Sequence, residues 1–417
     1  MKRMISLFLL AAMALNLGAC TWMKKPEETI SCVDILEDIP AGTVHVLEID
    51  PEPSLLPDFA VRLLQASMQE GKNTLISPLS VIYALAMTAN GAKGETLRQM
   101  EQVLGASSDQ LNGYLKAHSL SLENAEGKLK LANSIWFTDH ERFTVEQPFL
   151  QTVKDYYDAS VYRVPFDDIT CRDINNWVKE KTDGMIPEIL DEIPEGAVMY
   201  LVNALAFEAK WAATYDESQV RPGEFTTEDG TVRQVEMMHS EEGLYVETGD
   251  GFGVLKFYEG CDYGFVALLP NEGTVEELVA SLDGAQLAED LRNPTQTTVL
   301  TAIPKFETDY STEMSELLKS MGMTNAFDSQ LADLSGLGNS VAGNLYINRV
   351  LHKTFISVGE QGTKAGAATV VEVNDECAVV YPKETKTVFL DRPFVYMIID
   401  TQTCAPIFIG TMMDTEQ

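Results

Sequence analysis

The amino-acid sequence predicts one large domain that mixes α-helices and β-strands. Apolar residues recur at helical spacing from Phe59 to Met68, which indicates an amphipathic helix. The segment 197–211 is apolar on both faces, as expected of a central strand that is covered on both sides. No stretch rich in proline, glycine or serine interrupts residues 55–417, and no internal repeat occurs in them. One mixed domain therefore explains the body of the chain better than two or three linked domains.

The individual elements follow from local signals. The first helix is predicted to end at Gly71, and Ser77, followed by proline, begins a second apolar helix. Asn203 lies in the middle of the predicted central strand, so its buried amide must find hydrogen-bond partners in the core. The segments 394–399 and 407–412 are predicted to pair as a hairpin that buries the end of the chain.

The charge limits the classes of partner. The 417 residues carry 63 acidic and 30 basic side chains, a formal charge of −33. Because nucleic-acid-binding proteins usually have a basic footprint, no nucleic-acid partner is expected. No dense run of lysine and arginine occurs beyond the first residues, so no heparin-type site is evident. The charge alone is equally compatible with simple solubility.

The first residues have the features of an export signal. Lys2 and Arg3 precede an apolar run that is too short to span a membrane. The sequence LGAC at 17–20 resembles the cleavage box of bacterial lipoproteins, in which the cysteine becomes lipid-modified. The resemblance implies a signal peptide at 1–19 and an exported chain, anchored at Cys20 in the bacterial cell envelope or at the cell surface. An ordinary secretory signal with an incidental cysteine is the alternative.

Residues 20–54 have the composition of a tether. They contain four prolines and an excess of acidic side chains, so they can bury little apolar surface. The five cysteines after Cys20 are widely spaced and include no CxxC pair. The sequence therefore indicates neither a disulfide framework nor a zinc site.

The chain shows no recognisable catalytic site. Its five histidines include neither an HExxH motif nor a pair at i and i+4. It contains no GxSxG elbow and no Walker loop, and no base or oxyanion-hole motif accompanies Cys377. We therefore expect a binding or mechanical function, with no enzyme activity, no metal and no cofactor.

The segment 357–375 carries the pattern that points to function. From Thr363 to Val373 every second residue is small or apolar and uncharged, whereas the residues between them include Lys364 and Glu372. This alternation is compatible with a strand that has one buried face. Glycine and alanine are poor strand formers, however, so the residues alone fit either an uncommitted strand or a flexible loop.

Six motifs, in the same order along the chain, resemble those of the serpins. In this family of protease inhibitors, a reactive loop inserts into a β-sheet of the same molecule. The similarity covers about residues 55–415. It implies an α+β serpin fold at 55–417: a single large domain with three β-sheets, eight or nine helices and a mobile reactive-centre loop at about 360–387. The motifs are NTLISPLSVIYALAMTANGAKGETLRQM, LANSIWF, INNWVKEKTDGMIPEIL, LVNALAFEAKW, VLHKTFISVGEQGTKAGAAT and FLDRPFVYMI.

The resemblance also implies three groups of working residues. The hinge is the first part of the loop, about which the loop turns as it enters the sheet. The shutter lies at the middle of the sheet, where two strands separate to admit the loop. The breach lies at the top of the same gap, where the loop enters. Lys364 departs from the acidic residue common in the family, on the side that faces outward. The hinge comprises Glu360, Gly362, Thr363, Ala365, Ala367, Ala368 and Thr369; the shutter comprises Ser77, Ser80, Asn203 and His352; the breach comprises Trp211, Lys305 and Glu360.

The family spacing indicates the reactive bond. In inhibitory serpins the bait residue lies fourteen positions after the pivot glycine, which from Gly362 gives Glu376, with Cys377 after it. An acidic bait requires a protease with a cationic pocket, because burying an unpaired carboxylate is costly. The stretch from Glu376 to Phe394 is longer than in antitrypsin-like members, which leaves other bonds open. The alternative reactive positions are Asp375, Val379, Val380 and Tyr381.

The resemblance thus implies a suicide-substrate inhibitor of endopeptidases. Serine-type targets that cleave after Glu or Asp are expected, and cysteine-type targets remain open. One alternative is the same inhibitor directed at elastase- or chymotrypsin-like enzymes. Another is a non-inhibitory serpin that acts as a binding module, which a charged or proline-containing hinge would favour. A monomer is expected.

Overall fold

The computed structural model describes residues 32–36, 40, 42, 54–122, 128–157, 159–363 and 385–416. This part of the chain forms nine α-helices and three β-sheets, which confirms the predicted α+β class. None of the described helices is long and apolar enough to cross a membrane. The helices are α1 (Leu55–Ser67), α2 (Pro78–Ala89), α3 (Gly94–Leu104), α4 (Ser108–Leu122), α5 (Gln147–Tyr157), α6 (Asp168–Lys181), α7 (Val275–Ser281), α8 (Gly284–Arg292) and α9 (Ser315–Ser320).

The three sheets have nine, six and two described strands. The nine-stranded sheet has the order β1 (Thr74–Ile76), β17 (Pro406–Met412), β16 (Phe394–Asp400), β9 (Tyr263–Pro270), β8 (Gly251–Phe257), β7 (Val232–Glu247), β10 (Thr295–Pro304), β15 (Lys386–Phe389), with β6 (Val220–Thr226) beside β7. The six-stranded sheet has the order β11 (Phe306–Glu313), β13 (Leu351–Gly359), β14 (Gly362–Thr363), β5 (Met199–Lys210), β2 (Lys128–Thr138), β4 (Ser160–Val164). The small sheet pairs β12 (Gly338–Ser340) with β3 (Phe143–Val145).

Helix α2 forms the centre of the core. Ser77 is its N-cap residue and accepts a hydrogen bond from the Ser80 N–H at 3.2 Å. Pro78 occupies the first helical position, where its missing N–H costs nothing. Nearly all residues of α2 are buried, and the helix packs against β5 and β17. The Ser-Pro signal therefore located the start of this helix correctly.

The first helix ends earlier than predicted. It stops at Ser67, and the Met68 N–H bonds to the Leu64 carbonyl as a cap. Gly71, which we predicted as the end of the helix, lies in the turn that follows, with a φ of +65°. The glycine marks this turn because only glycine adopts such a φ without steric cost.

The predicted hairpin and central strand are both present. β16 and β17 pair antiparallel and are buried along their whole length. β5 lies inside the six-stranded sheet between β14 and β2. Strand β5 carries Asn203 and the pairing partners of β14, and Trp211 follows directly after its last residue.

A short segment before α1 lies against the outer edge of the six-stranded sheet. Asp34 forms a bridge to Tyr162 on β4, and the Ile35 N–H donates to the Val161 carbonyl at 2.8 Å. The Leu36 side chain is fully buried. Because β4 is the last strand of its sheet, this segment covers part of an exposed edge.

Candidate functional site at the opening of the six-stranded sheet

Gly362 and Thr363 form the two-residue strand β14 at the centre of this sheet. On one side they pair antiparallel with the end of β13, and on the other with Lys210 and Ala209 of β5. Gly362 has a φ of +147°, and a Cβ there would lie 2.1 Å from the Ala209 carbonyl oxygen. Glycine is therefore required where the chain enters the sheet. Thr363 is 2% exposed, so the first residue after this glycine already lies in the core.

The residues at the top of the opening are joined by ion pairs. Lys305 Nζ lies 2.8 Å from Glu360 Oε1 and 2.8 Å from Glu236 Oε2. Hydrogen bonds to Glu236 and Glu360 raise the pKa of Lys305, and Lys305 lowers the pKa of Glu360. Because all three side chains are partly exposed, each pair contributes at most about 1 kcal/mol. These ion pairs mainly fix the position of Glu360 relative to Lys305, and they add little to the stability of the fold.

Trp211 binds the turn that precedes β14. Its backbone N–H donates to the Gln361 carbonyl at 3.0 Å, and its indole Nε1 donates to the Gly359 carbonyl at 2.8 Å. The indole also stacks on the Tyr258 ring, with the centroids 4.5 Å apart. The Tyr258 hydroxyl lies 2.6 Å from Thr363 Oγ1. Trp211 and Tyr258 together fix the backbone of residues 359 and 361 and the side chain of Thr363.

The predicted shutter residues meet where β5 and β13 face α2. The Ser77 N–H donates to His352 Nε2 at 3.1 Å, and the Ser80 hydroxyl donates to Asn203 Oδ1. Burial lowers the pKa of His352 to about 4, so at neutral pH the ring is uncharged and can accept this hydrogen bond.

Asn203 also donates to Asn133 Oδ1 at 2.7 Å, and Asn133 donates to the Tyr157 carbonyl at 3.1 Å. The amide of Asn203, which is half-buried, thus has partners on two neighbouring elements. This polar chain ties β5 to α2 and β2 inside an otherwise apolar layer.

Several residues of this site were not predicted from the sequence. Asn133 stands in the apolar motif LANSIWF, and an amide in such a run is the same signal that identified Asn203. Tyr258 and Lys256 lie in the run VLKFY, where a lone lysine among apolar residues was the available signal. Their role depends on contacts with Trp211, which is distant in sequence.

The other predicted site residues, in the loop and at the lipid anchor, lie outside the described residues: Cys20, Ala365, Ala367, Ala368, Thr369, Asp375, Glu376, Cys377, Val379, Val380 and Tyr381.

A cavity of about 400 Å³ lies at the opposite end of β5 and β13 from β14. Its walls include Ser80, Asn203 and His352 together with apolar side chains such as Leu85 and Leu345. Among the described residues, no cluster of three or more metal-binding side chains occurs. The site thus has three parts: the gap that β5 and β13 leave beyond β14, the hydrogen-bonded shutter residues, and the two residues of β14 that are fixed in the sheet.

Comparison with known proteins agrees with this geometry. The sequence model of the family described as Serpin (serine protease inhibitor) matches residues 54–415. An uncharacterised serpin-like protein of Thermococcus kodakarensis is 33% identical over 374 residues, which cover 87% of this chain and 86% of that protein. Neuroserpin of Homo sapiens is 29% identical over 398 residues, covering 89% of this chain and 95% of neuroserpin.

Solved structures give the same result. The thermophilic serpin tengpin in its native state superposes with a TM-score of 0.85 at 45% identity, covering 92% of this chain and 99% of tengpin. Tengpin in its latent state gives a TM-score of 0.77 at 44% identity, covering 87% and 97%. The chain belongs to the serpin family of serine protease inhibitors.

Proposed function

We propose that this protein inhibits endopeptidases as a suicide substrate. The nucleophile of the protease attacks the carbonyl of the bait residue and forms an acyl-enzyme. The residue after the bond departs as a new amino terminus, which carries the transferred proton. The cut loop then inserts between β5 and β13 and carries the acylated protease with it.

The observation that carries this proposal is the length of β14 relative to its neighbours. β14 has 2 residues, whereas β13 has 9 and β5 has 12. Among the described strands, β13 and β5 are joined in their sheet only through β14. A strand that continued β14 would therefore run between two partners along its whole length.

The pairing register supports the same proposal. Thr363 pairs with Ala209, so an antiparallel continuation would bring residue 373 opposite Met199, the first residue of β5. The series that shares the buried face with Thr363 is uncharged up to Val373. Each new hydrogen bond would stabilise the inserted form by roughly 1 kcal/mol net, so ladders on both sides supply a driving force.

The proposed target is a protease that cleaves after Glu or Asp, with Glu376–Cys377 as the reactive bond. The family spacing from Gly362 and the DEC triplet at 375–377 support it. The alternative targets are elastase- or chymotrypsin-like proteases that cleave near Val380 or Tyr381.

A protease panel tests both levels of this proposal. The protein is incubated with a glutamyl endopeptidase, granzyme B, a caspase, elastase and chymotrypsin, and the products are denatured and analysed by electrophoresis and mass spectrometry. We expect a denaturation-resistant covalent complex and a new amino terminus at Cys377. A new terminus at Val380 or later would move the reactive bond, and cut protein with fully active protease would refute inhibition.

We further propose that the inhibitor is exported and held at a bacterial cell envelope by a lipid on Cys20. The sequence at 17–20 supports this assignment. Two or more acyl chains would anchor the protein stably, whereas one holds only marginally. Labelling of cells with a fatty-acid analogue should mark the wild-type protein and not Cys20→Ser, and equal labelling of both would contradict the proposal.

A further inference from the structure

Lys256 places a positive charge inside the core. Its side chain is 2% exposed, and Nζ lies 2.6 Å from Glu242 Oε1. The same carboxylate accepts a hydrogen bond from the Ser240 hydroxyl at 2.6 Å. Burying an ammonium group is costly even when it is paired, and an apolar side chain of similar volume often fills such a place at lower cost. Packing of β8 alone therefore does not account for this lysine.

The ammonium group of Lys256 lies over two aromatic rings. Nζ is 5.5 Å from the centroid of the Trp211 ring and 4.7 Å from that of Tyr215. Both distances are within the range of cation–π attraction, which strengthens when water is excluded. One buried cation thus fixes the positions of two rings.

These two rings belong to residues that hold the turn before β14. The Tyr215 N–H donates to the Glu360 carbonyl at 3.0 Å, next to the bonds that Trp211 makes to residues 359 and 361. Trp211 also supports Tyr258, which contacts Thr363. Lys256 is therefore connected to the start of the loop through each ring.

We propose that Lys256 is a positioning residue for loop insertion. By holding Trp211 and Tyr215, it keeps Gly362 and Thr363 in the sheet before the loop is cut. This inference rests on the proposed function, in which insertion competes with hydrolysis of the acyl-enzyme. In that hydrolysis water attacks the acyl carbonyl, leaves a new carboxyl terminus and returns the proton to the nucleophile. Because Gly362 and Thr363 already lie in the sheet, the first step of insertion is made before cleavage. This favours insertion over hydrolysis of the acyl-enzyme.

The test is the substitution Lys256→Met, measured with a protease that the wild-type protein traps. We expect the moles of inhibitor consumed per mole of protease to rise by roughly fivefold, since the lost attraction slows insertion. The rate of loop cleavage should stay unchanged, because the bait residue is not altered. Lys256→Arg, which keeps the cation, should restore part of the inhibition.

Lys319→Met is the matched control. Lys319 makes the same kinds of contact outside the hinge, at a partly exposed position, with Nζ 2.7 Å from Glu316 Oε1 and 5.5 Å from the centroid of the Phe327 ring. We expect this variant to consume inhibitor as the wild type does. An equal rise in Lys319→Met and Lys256→Met would mean that the effect does not depend on contact with Trp211 and Tyr215, and it would overturn the proposal.

A second variant covers the case in which Lys256→Met folds poorly. Tyr215→Leu removes one ring and leaves the pair of Lys256 with Glu242 in place, and it should raise inhibitor consumption in the same way. If either folded variant consumes as much inhibitor per protease as the wild type, the role of Lys256 is overturned and the proposed function is not. Wild-type protein that is cut without forming any complex overturns the proposed function as well, so the two failures are distinguished.

Discussion

His352 is a buried hydrogen-bond acceptor, and this makes the shutter sensitive to acid. Burial lowers its pKa to about 4, below the value of about 6.5 for an exposed histidine. The unfolded chain therefore binds a proton here more readily than the native protein does. The free energy of unfolding should fall as the pH drops from about 6.5 to about 4, with a total loss on the order of 3 kcal/mol.

The comparison of His352→Gln with the wild type measures this effect. The variant cannot be protonated at this position, so its unfolding midpoint in urea should fall less than that of the wild type between pH 7 and pH 4.5. His140→Gln, at an exposed histidine, serves as the control and should follow the wild type. Parallel pH curves for the wild type and His352→Gln would contradict the assignment.

At the scale of the element, the loop is expected to present alternating faces once it forms a strand. The register of β14 continues to place residue 369 opposite both Asn203 and His352, on the buried face with Thr363. Residue 368 would then lie on the outer face. Two neighbouring residues should therefore respond in opposite ways to the same change.

Thr369→Glu should convert the inhibitor into a substrate, whereas Ala368→Glu should leave inhibition nearly intact. A carboxylate on the inner face would be buried opposite the amide of Asn203 and the uncharged ring of His352, neither of which supplies a counter-charge. The cost would be several kcal/mol, which slows insertion. Electrophoresis of the protease reaction shows the ratio of covalent complex to cut protein. Equal loss of complex in both variants would mean that the inserted loop does not continue the register of β14.

Local patterns were sufficient to predict some elements of this fold. Ser77 and Pro78 defined the start of α2, because capping and the constraint on proline act within one turn. The apolar run at 197–211 predicted β5 (Met199–Lys210) closely, since a strand covered on both faces needs such a run.

Other features depend on contacts that are distant in sequence, and these could not be predicted. The pairing of β14 with both neighbours requires β5, which lies far from it in the chain. The acidic, proline-containing stretch before α1 gave no sign that Leu36 would be buried, because one apolar side chain produces no periodic pattern. Lys256 had no visible role until Trp211 and Tyr215 were placed around it.

At the scale of the whole molecule, the charge of −33 should act on the rate of association. The negative charge attracts a protease with a basic surface, and dissolved salt screens this attraction. The screening length is about 10 Å at 0.1 M salt. We expect the association rate constant to fall by roughly tenfold between low and high salt. A protease with an acidic surface is the control, and a rate independent of salt for both would leave the charge with a role in solubility only.

The strands that follow the loop have a consequence for the product of cleavage. A cut at Glu376–Cys377 would separate residues 377–417 covalently from the rest of the chain. Yet β15 pairs with β10, β16 pairs with β9, and β17 pairs with β1, all across the cut. β16 and β17 are also wholly buried. The cleaved inhibitor would therefore be a non-covalent heterodimer, whose small subunit would provide central strands of the core and separate only when the fold is lost.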